Sequence, residues 1–378
     1  MISHTFSPKS VTQFEPYLHD DLAMFVRKWD ELTSESPGAY VDTDCLKWFN
    51  YLAFDMIGNL AFGEPFGMLS AAADIAEVRP SPESPPLYAP AIEILNRRGE
   101  VSATLGCLPQ LKPYAKHFPD PFFHKGLGAI ESLAGMSIAR VKARLEYPPE
   151  INRLDLLDRL TEGRDDNGEP LGFEELTAEA QTQLIAGSDT TSNSSCALLF
   201  HLVRNEKAYR KLQAELDSAI PSNVDVPSFD TVRDLPYLQA VVNETLRHHS
   251  TASIGHPREI PPDSPGIHLL GYYFAPGTVL SVPTYTIHHS TAIWGPDADE
   301  FKPERWFRLT TRQKNAFIPF SFGPRACVGR NVADMQLKLI AATWVRRYDV
   351  VLRQDVMETR EGFLRKPLQV IAGLKRRA

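Results

Sequence analysis

The chain is predicted to be mainly α-helical with a small β-sheet, and three observations predict it. Leu22, Phe25, Val26, Trp29 and Leu32 recur at three- and four-residue spacing, the mark of one buried helix face. Leu176 to about Asn205 reads as one long helix, followed by the amphipathic, charged stretch from Asn205 to Ile220. The strand-rich region lies around 272–282, where aromatic and β-branched residues cluster about Pro276-Gly277-Thr278.

Composition bounds the function classes. With 43% hydrophobic and 23% charged residues the 378-residue chain is ordinary globular material. We read it as one domain over 1–378, although the length alone also admits two or three small ones. Forty basic against 47 acidic side chains give a net charge of −7, which argues against a nucleic-acid binder. Cys45, Cys107, Cys196 and Cys327 are scattered without pair spacing, so neither a disulfide framework nor a zinc site is expected. The N-terminus lacks the apolar core of a signal peptide. The longest apolar run, Cys196 to Phe200, is far short of the ~18 residues a membrane span requires.

In chain order, Ser7-Pro8 looks like a helix start and Pro37-Gly38 a break. Asp42 or Thr43 is expected to cap a second helix that carries the apolar run from Trp48 to Leu60 and ends near Gly63. Residues 76–90, rich in proline, read as a loop. Residues 91–147 read as weak helix interrupted by Pro109, Pro113, Pro119 and Pro121, and 162–168 as a charged surface turn. Within the long helix, Ala186-Gly187-Ser188-Asp189-Thr190-Thr191 is poor helix-interior material, since its polar groups compete for backbone partners. Two readings stay open: a kinked buried helix with hydroxyls bonded back to carbonyls, or a notch at a ligand site. Pro236 precedes a further helix carrying Glu244 and Arg247, three apart and on one face. A surface ion pair is the ordinary fate of such a pair, but apolar neighbours surround this one. Tyr272–Phe274 and Val279–Val282 read as a hairpin-like pair.

The stretch that organises the rest is Phe320-Ser321-Phe322-Gly323-Pro324-Arg325-Ala326-Cys327-Val328-Gly329. Gly323 and Gly329 permit turns and close approaches, and an apolar-periodic helix opens at Arg330 or Asn331. A cysteine just before a helix sits near the positive end of its dipole, which is expected to favour the metal-ligating thiolate. Taken alone, a single cysteine is more often an inert buried residue.

The decapeptide resembles the haem-binding loop of the cytochrome P-450 family, Phe-x-x-Gly-x-Arg-x-Cys-x-Gly, at every fixed position. The 186–191 string is similar to the family's oxygen-binding groove, Glu244 and Arg247 to its Glu-x-x-Arg, and Pro303-Glu304-Arg305-Trp306 to its Pro-Glu-Arg-Phe. The four lie in the family's order across about 176–378. The resemblance implies the cytochrome P-450 fold, with Cys327 as axial ligand of a haem b iron, Arg325 and Arg258 at its propionates, and Phe320 beside the sulfur. It implies that Asp189 and Thr190 deliver protons during oxygen activation, and that Glu244, Arg247 and Arg305 form a buried scaffold.

Several stretches, among them Gly58–Gly67 and Arg97–Pro109, are similar in wording to fungal benzoate 4-monooxygenases. That implies para-hydroxylation of a small aromatic acid with O2, and electrons from NADPH through a separate reductase. Ser250, Thr251, Ser253 and His249 are the candidate substrate contacts, with Arg98 a weaker one. Two other readings are a cytochrome P-450 acting on another aromatic or lipophilic substrate, and a truncated haem-binding protein without turnover. Met1–Ser7 resembles the end of the family's third major helix. The membrane anchor, the first strands and a propionate-binding Trp-x-x-x-Arg are therefore expected to be missing, with an unpaired sheet edge and a haem pocket open on one side. The family resemblance places the protein at the cytoplasmic face of the endoplasmic reticulum membrane. An anchor-less form would touch that membrane only peripherally or stay in the cytoplasm.

Overall fold

The computed structural model describes residues 3–148, 155–164 and 168–377, with the side chains of Ser3 and His4 outside that description. Helices dominate, and one contiguous apolar core runs from Phe6 to Leu374. At its centre the helix Glu15–Ser34 buries Leu18, Leu22, Phe25 and Trp29, the face its spacing predicted. Trp29 meets Phe25, Phe49 and Tyr348 ring to ring at 4.4 to 6.0 Å between centroids, aromatic packing that adds to the area each ring buries. Ser7 accepts a hydrogen bond from the Ser10 N–H and caps the short helix Pro8–Val11. Met1 and Ile2 lie outside the described residues, and Ser3–Phe6 forms a 3-10 turn.

The second helix, Cys45–Phe62, ends at Gly63, whose φ of +87° gives the left-handed cap that a side chain resists. Its N-cap is Asp44, not Asp42 or Thr43: Asp44 Oδ1 accepts from the Leu46 N–H at 3.1 Å. Asp42 and Thr43 are extended instead, because Val41–Asp44 pairs antiparallel with Ile371–Arg376. That C-terminal strand also pairs with Tyr348–Leu352, completing a three-stranded sheet. A pairing more than 300 residues away leaves no local trace.

The 76–90 stretch is not wholly loop, since Ala76–Val78 and Leu87–Ala89 pair across the prolines. Residues 91–147 are firmer than their prolines suggested. Helices Ala91–Cys107 and Pro121–Glu146 bracket a 3-10 segment, Pro109–His117. Pro121 opens its helix behind the Asp120 cap rather than interrupting one. Of the turn 162–168, residues 165–167 lie outside the described residues, and Arg164 bridges Pro170.

The long helix spans Phe173–Arg204 and packs along Cys45–Phe62. Next come the amphipathic helix Glu206–Ala219, capped by Asn205, and the helix Pro236–His248. The expected hairpin between 272–274 and 279–282 does not form. Tyr272–Phe274 pairs with Ile267–Leu269, and Val279–Leu280 pairs with Arg258–Glu259, although Gly277 turns the chain between them at φ +79°. Both two-stranded pieces expose apolar side chains, Leu269, Tyr272 and Val279 among them. Among the described residues, no helix is long and apolar enough to cross a membrane.

Candidate haem-thiolate site

The Cys327 loop is held by its own backbone. The Cys327 N–H donates to the Phe320 carbonyl at 2.8 Å, and the Ala326 N–H donates to the Gly323 carbonyl at 3.0 Å. Two residues inside this closure have positive φ, Gly323 at +73° and Ser321 at +62°. Glycine takes that backbone freely, whereas for serine it is strained, so the closure is fixed at a conformational cost. Phe320 packs partly against the core, while Arg325, Cys327 and Phe322 (86% exposed) face outward. Gly329 ends the loop and the helix Arg330–Arg347 begins, as the sequence placed it.

The thiol itself differs from expectation. The residue is exposed, yet protein atoms crowded around its sulfur push the Cys327 pKa up, while a hydrogen bond from the Gly329 N–H and the nearby Arg330 charge pull it down less strongly. The helix-start environment therefore does not make the thiolate unaided. A bound cation does, since metal coordination deprotonates a thiol outright.

The helix after the cysteine reaches the long helix directly, where Thr191 Oγ1 donates to Gln336 Oε1 at 3.0 Å. Of the two readings of 186–191, the back-bonded one matches the geometry, in a segment that is α-helical throughout. Ser188 Oγ donates to the Leu184 carbonyl and Thr190 Oγ1 to the Ala186 carbonyl, both at 2.7 Å. Ala186 is nonetheless exposed and Thr190 half-buried, in a helix that is buried everywhere from 191 to 200. Gly187 has a packing reason: a Cβ there would lie 2.8 Å from Ile57 Cγ1 on the neighbouring helix. Asp189 is buried and forms an ion pair with Lys366, which the sequence did not single out.

Beside Asp189 lies a cavity of about 540 Å³, walled by the helix Ala91–Cys107, the long helix and the chain around 360–368. Arg98 and Asp189 line it, whereas His249, Ser250, Thr251 and Ser253 do not. The three hydroxyl residues are occupied elsewhere. Ser250 Oγ lies 2.7 Å from His288 Nδ1, Thr251 Oγ1 lies 3.2 Å from Ser194 Oγ, and Ser253 Oγ donates to Glu361 at 2.6 Å. His249 is buried with Nε2 unpartnered, and burial together with the Arg365 charge drives its pKa down to about 3. Arg258 is exposed in its short strand, and among the described residues its side chain donates only to the neighbouring Pro257 carbonyl.

Glu244, Arg247 and Arg305 do come together. The Glu244 carboxylate accepts from Arg247 Nε and Nη2 and from Arg305 Nε, each at 2.9 Å. It also accepts from the Lys302 N–H at 2.8 Å and Trp306 Nε1 at 3.0 Å. Glu244 and Arg247 are fully buried. Burial works to raise the Glu244 pKa, but the two guanidinium groups outweigh it and the carboxyl stays below its usual range. Sequence reasoning missed His288, which accepts the Ile318 N–H at Nε2 while Arg247 donates to its carbonyl, and no local pattern marks it.

The donor set tests whether a haem fits. Among the described residues, no three His, Cys, Asp or Glu side chains gather as a metal site. One outward-facing thiol cannot hold a bare ion, but it suits an iron whose other ligands come from a porphyrin. Arg325 has no side-chain partner among the described residues, and together with Arg258 it offers fork-shaped donors for carboxylates such as propionates. Phe322 and Val328, both exposed, supply apolar surface beside the sulfur. The residues present fit the group.

A helical fold presenting one loop-borne thiol before a helix fits the class of haem-thiolate proteins. The chain belongs to the cytochrome P450 family, whose profile, described as Cytochrome P450, matches residues 1–372. It is 58% identical over 386 residues to "Benzoate 4-monooxygenase bphA" of Aspergillus niger, an alignment covering 100% of this chain and 74% of the relative. It is 29% identical over 355 residues to "Cytochrome P450 monooxygenase orf2" of Aspergillus niger, covering 93% of this chain and 67% of that protein. The crystal structure of the cytochrome P450DA heme domain superposes with a TM-score of 0.79 at 21% identity, covering 100% of this chain and 76% of that one. This last likeness bears on the fold.

Proposed function

We propose that this protein is a cytochrome P-450 monooxygenase, acting as one domain, that hydroxylates benzoate to 4-hydroxybenzoate. Its oxidant is O2, and its electrons come from NADPH through a separate flavoprotein reductase at the cytoplasmic face of the endoplasmic reticulum. The observation that carries the substrate is the 58% identity maintained across the whole chain to a benzoate 4-monooxygenase. The outward-facing Cys327 on its closed loop supports haem b as the cofactor.

Cys327 would hold the iron, with Arg325 and Arg258 at the propionates and Phe320, Gly323 and Gly329 shaping the loop around the sulfur. When bound, haem supplies the iron centre at which O2 is activated and one oxygen atom is inserted into the ring, with the thiolate donating electron density. The chain's own residues handle protons and exclude solvent. Thr190 spends its hydroxyl hydrogen on the Ala186 carbonyl, which leaves the Oγ1 lone pairs free to accept a hydrogen bond on the exposed side of the helix. Asp189, one residue earlier, presents a carboxylate that can relay a proton once Lys366 gives way, and the ion pair holds it in position until then. Glu244, Arg247 and Arg305 fix the chain segments beneath the site rather than take part in the chemistry.

Two measurements test this. Haem absorption of the reduced, carbon-monoxide-bound protein reports thiolate ligation, and Cys327→Ser is expected to abolish that signature. Incubation with reductase, NADPH and benzoate is expected to release 4-hydroxybenzoate. An unchanged Soret band in the serine variant overturns the cofactor assignment, and NADPH consumption without para-hydroxylated product overturns the substrate.

A further inference from the structure

The cavity beside Asp189 holds one charge that the rest of the structure leaves unanswered. Five cationic side chains line it, and three are already paired. Arg97 binds Glu100 at 3.1 Å, Arg360 binds the same carboxylate, and Lys366 binds Asp189 while donating to Asn96 at 2.7 Å. Lys47 is exposed to solvent. Arg98, half-buried on the helix Ala91–Cys107, makes no hydrogen bond or ion pair among the described residues. Burial draws its pKa down against the opposing charge of Asp189, so the guanidinium is partly desolvated with no hydrogen-bond partner among the described residues. The neighbouring acids do not answer it. Asp44 and Asp74 are engaged by backbone N–H groups, and Glu361 is engaged by Ser253 and Arg365.

The other walls are partly apolar, with Leu95, Ile185, Phe363 and Leu364 able to flank a ring. A planar fork of N–H donors on one side of such a space matches a carboxylate bidentately. The geometry points to Arg98 as the residue that receives the carboxylate of a small organic acid in this cavity, and so selects acids over their neutral counterparts. The choice of benzoate as that acid rests on the function proposed above; the role of Arg98 does not. None of the four polar residues expected from sequence to do this work lines the cavity, and the weakest of the sequence candidates is the one that does.

The test is binding to the haem-loaded protein by isothermal titration calorimetry. The probes are benzoate, cyclohexanecarboxylate and hexanoate, each with its primary amide as the uncharged control. Wild type is expected to prefer acid over amide. Arg98→Gln is expected to weaken acid binding roughly 10- to 150-fold, the range for losing a hydrogen bond to a charged group, and to change amide binding less than about threefold. Arg98→Lys keeps the charge and loses the fork, so it is expected to fall between the two. It carries the test if the glutamine variant loses its haem. Acid binding unchanged in both variants overturns the inference. A wild type that ignores benzoate but takes another acid through Arg98 overturns the substrate and supports the inference. A wild type with no preference for any acid over its amide overturns both.

Discussion

Glutamine at position 244 would test the scaffold in a way that size or shape cannot explain. The side chain keeps its volume, and only one oxygen becomes NH2. Glu244 Oε1 receives Arg247 Nη2, Arg305 Nε and the Lys302 N–H, and Oε2 receives Arg247 Nε and Trp306 Nε1. Every neighbour is a donor. Whichever way the amide turns, its NH2 faces two or three N–H groups, and two guanidinium ions lose their only shared anion. Arg247 keeps three carbonyl acceptors, on His288, Ala298 and Glu300, so much of its hydrogen bonding survives while its buried charge loses its counter-ion. Breaking a buried pair on one side costs about 3–5 kcal/mol. That is a large part of a typical folding free energy of about 5–15 kcal/mol. Urea unfolding at pH 7, followed by tryptophan fluorescence and far-ultraviolet circular dichroism, measures the loss. The pH dependence gives a second readout. A carboxyl held below its usual range contributes stability that is full above the unfolded pKa of about 4.3 and is lost as pH falls through the folded value. Wild type should therefore lose stability below about pH 4.3 more steeply than Glu244→Gln. A glutamine variant within about 1 kcal/mol of wild type at pH 7, with an equally steep acid limb, would refute the reasoning.

Other outcomes follow from local geometry. Gly187→Ala should overpack the crossing at Ile57 and cost about 1–3 kcal/mol in urea unfolding, with Ile57→Val in the same chain recovering part of it; no loss would mean the helices are free to separate. His249 and His288 are held to about 3 by burial, beside Arg365 and Arg247 respectively, and the unfolded chain takes up these protons first, near 6.5. Their contribution is complete above about 6.5 and declines as pH falls, by up to about 2 kcal/mol for each group between pH 6.5 and 5. Unfolding free energies across that window should fall for wild type and fall less for His288→Gln, and a flat wild-type profile would count against it.

What the sequence revealed and what it hid divide along the range of the interaction. The face of Glu15–Ser34, the cap at Gly63, Pro236 at a helix start and the loop-to-helix junction at Gly329 each depend on residues within a turn or two. All were readable. The mistaken cap at Asp42 or Thr43 comes from a strand whose partner lies more than 300 residues away, whereas at 272–282 the choice of partner was wrong: Tyr272–Phe274 folds back on the adjacent Ile267–Leu269, and Val279–Leu280 pairs with Arg258–Glu259. Period-2 alternation indicates that a segment is extended, but it does not name the partner. The site divides the same way. Cys327 was legible because its loop closes on Phe320, seven residues back. Ser250 and Ser253 read from sequence as candidate substrate contacts, but their hydroxyls meet His288 and Glu361, 38 and 108 residues distant, and neither lines the cavity.

Lys366 shows why a motif can specify a residue and leave its state open. It lies 177 residues from Asp189, in a two-residue strand with no pattern of its own, yet it decides whether that carboxylate is free. A carboxylate bound to an ammonium group gives up its position less readily than one facing water. The proton delivery proposed for Asp189 therefore requires Lys366 to let go first. Arg98 lines the same cavity without an ion-pair partner among the described residues, so the residue proposed to receive the substrate's charge and the pair proposed to govern its proton share one space. That space is assembled from stretches that no single run of the sequence contains.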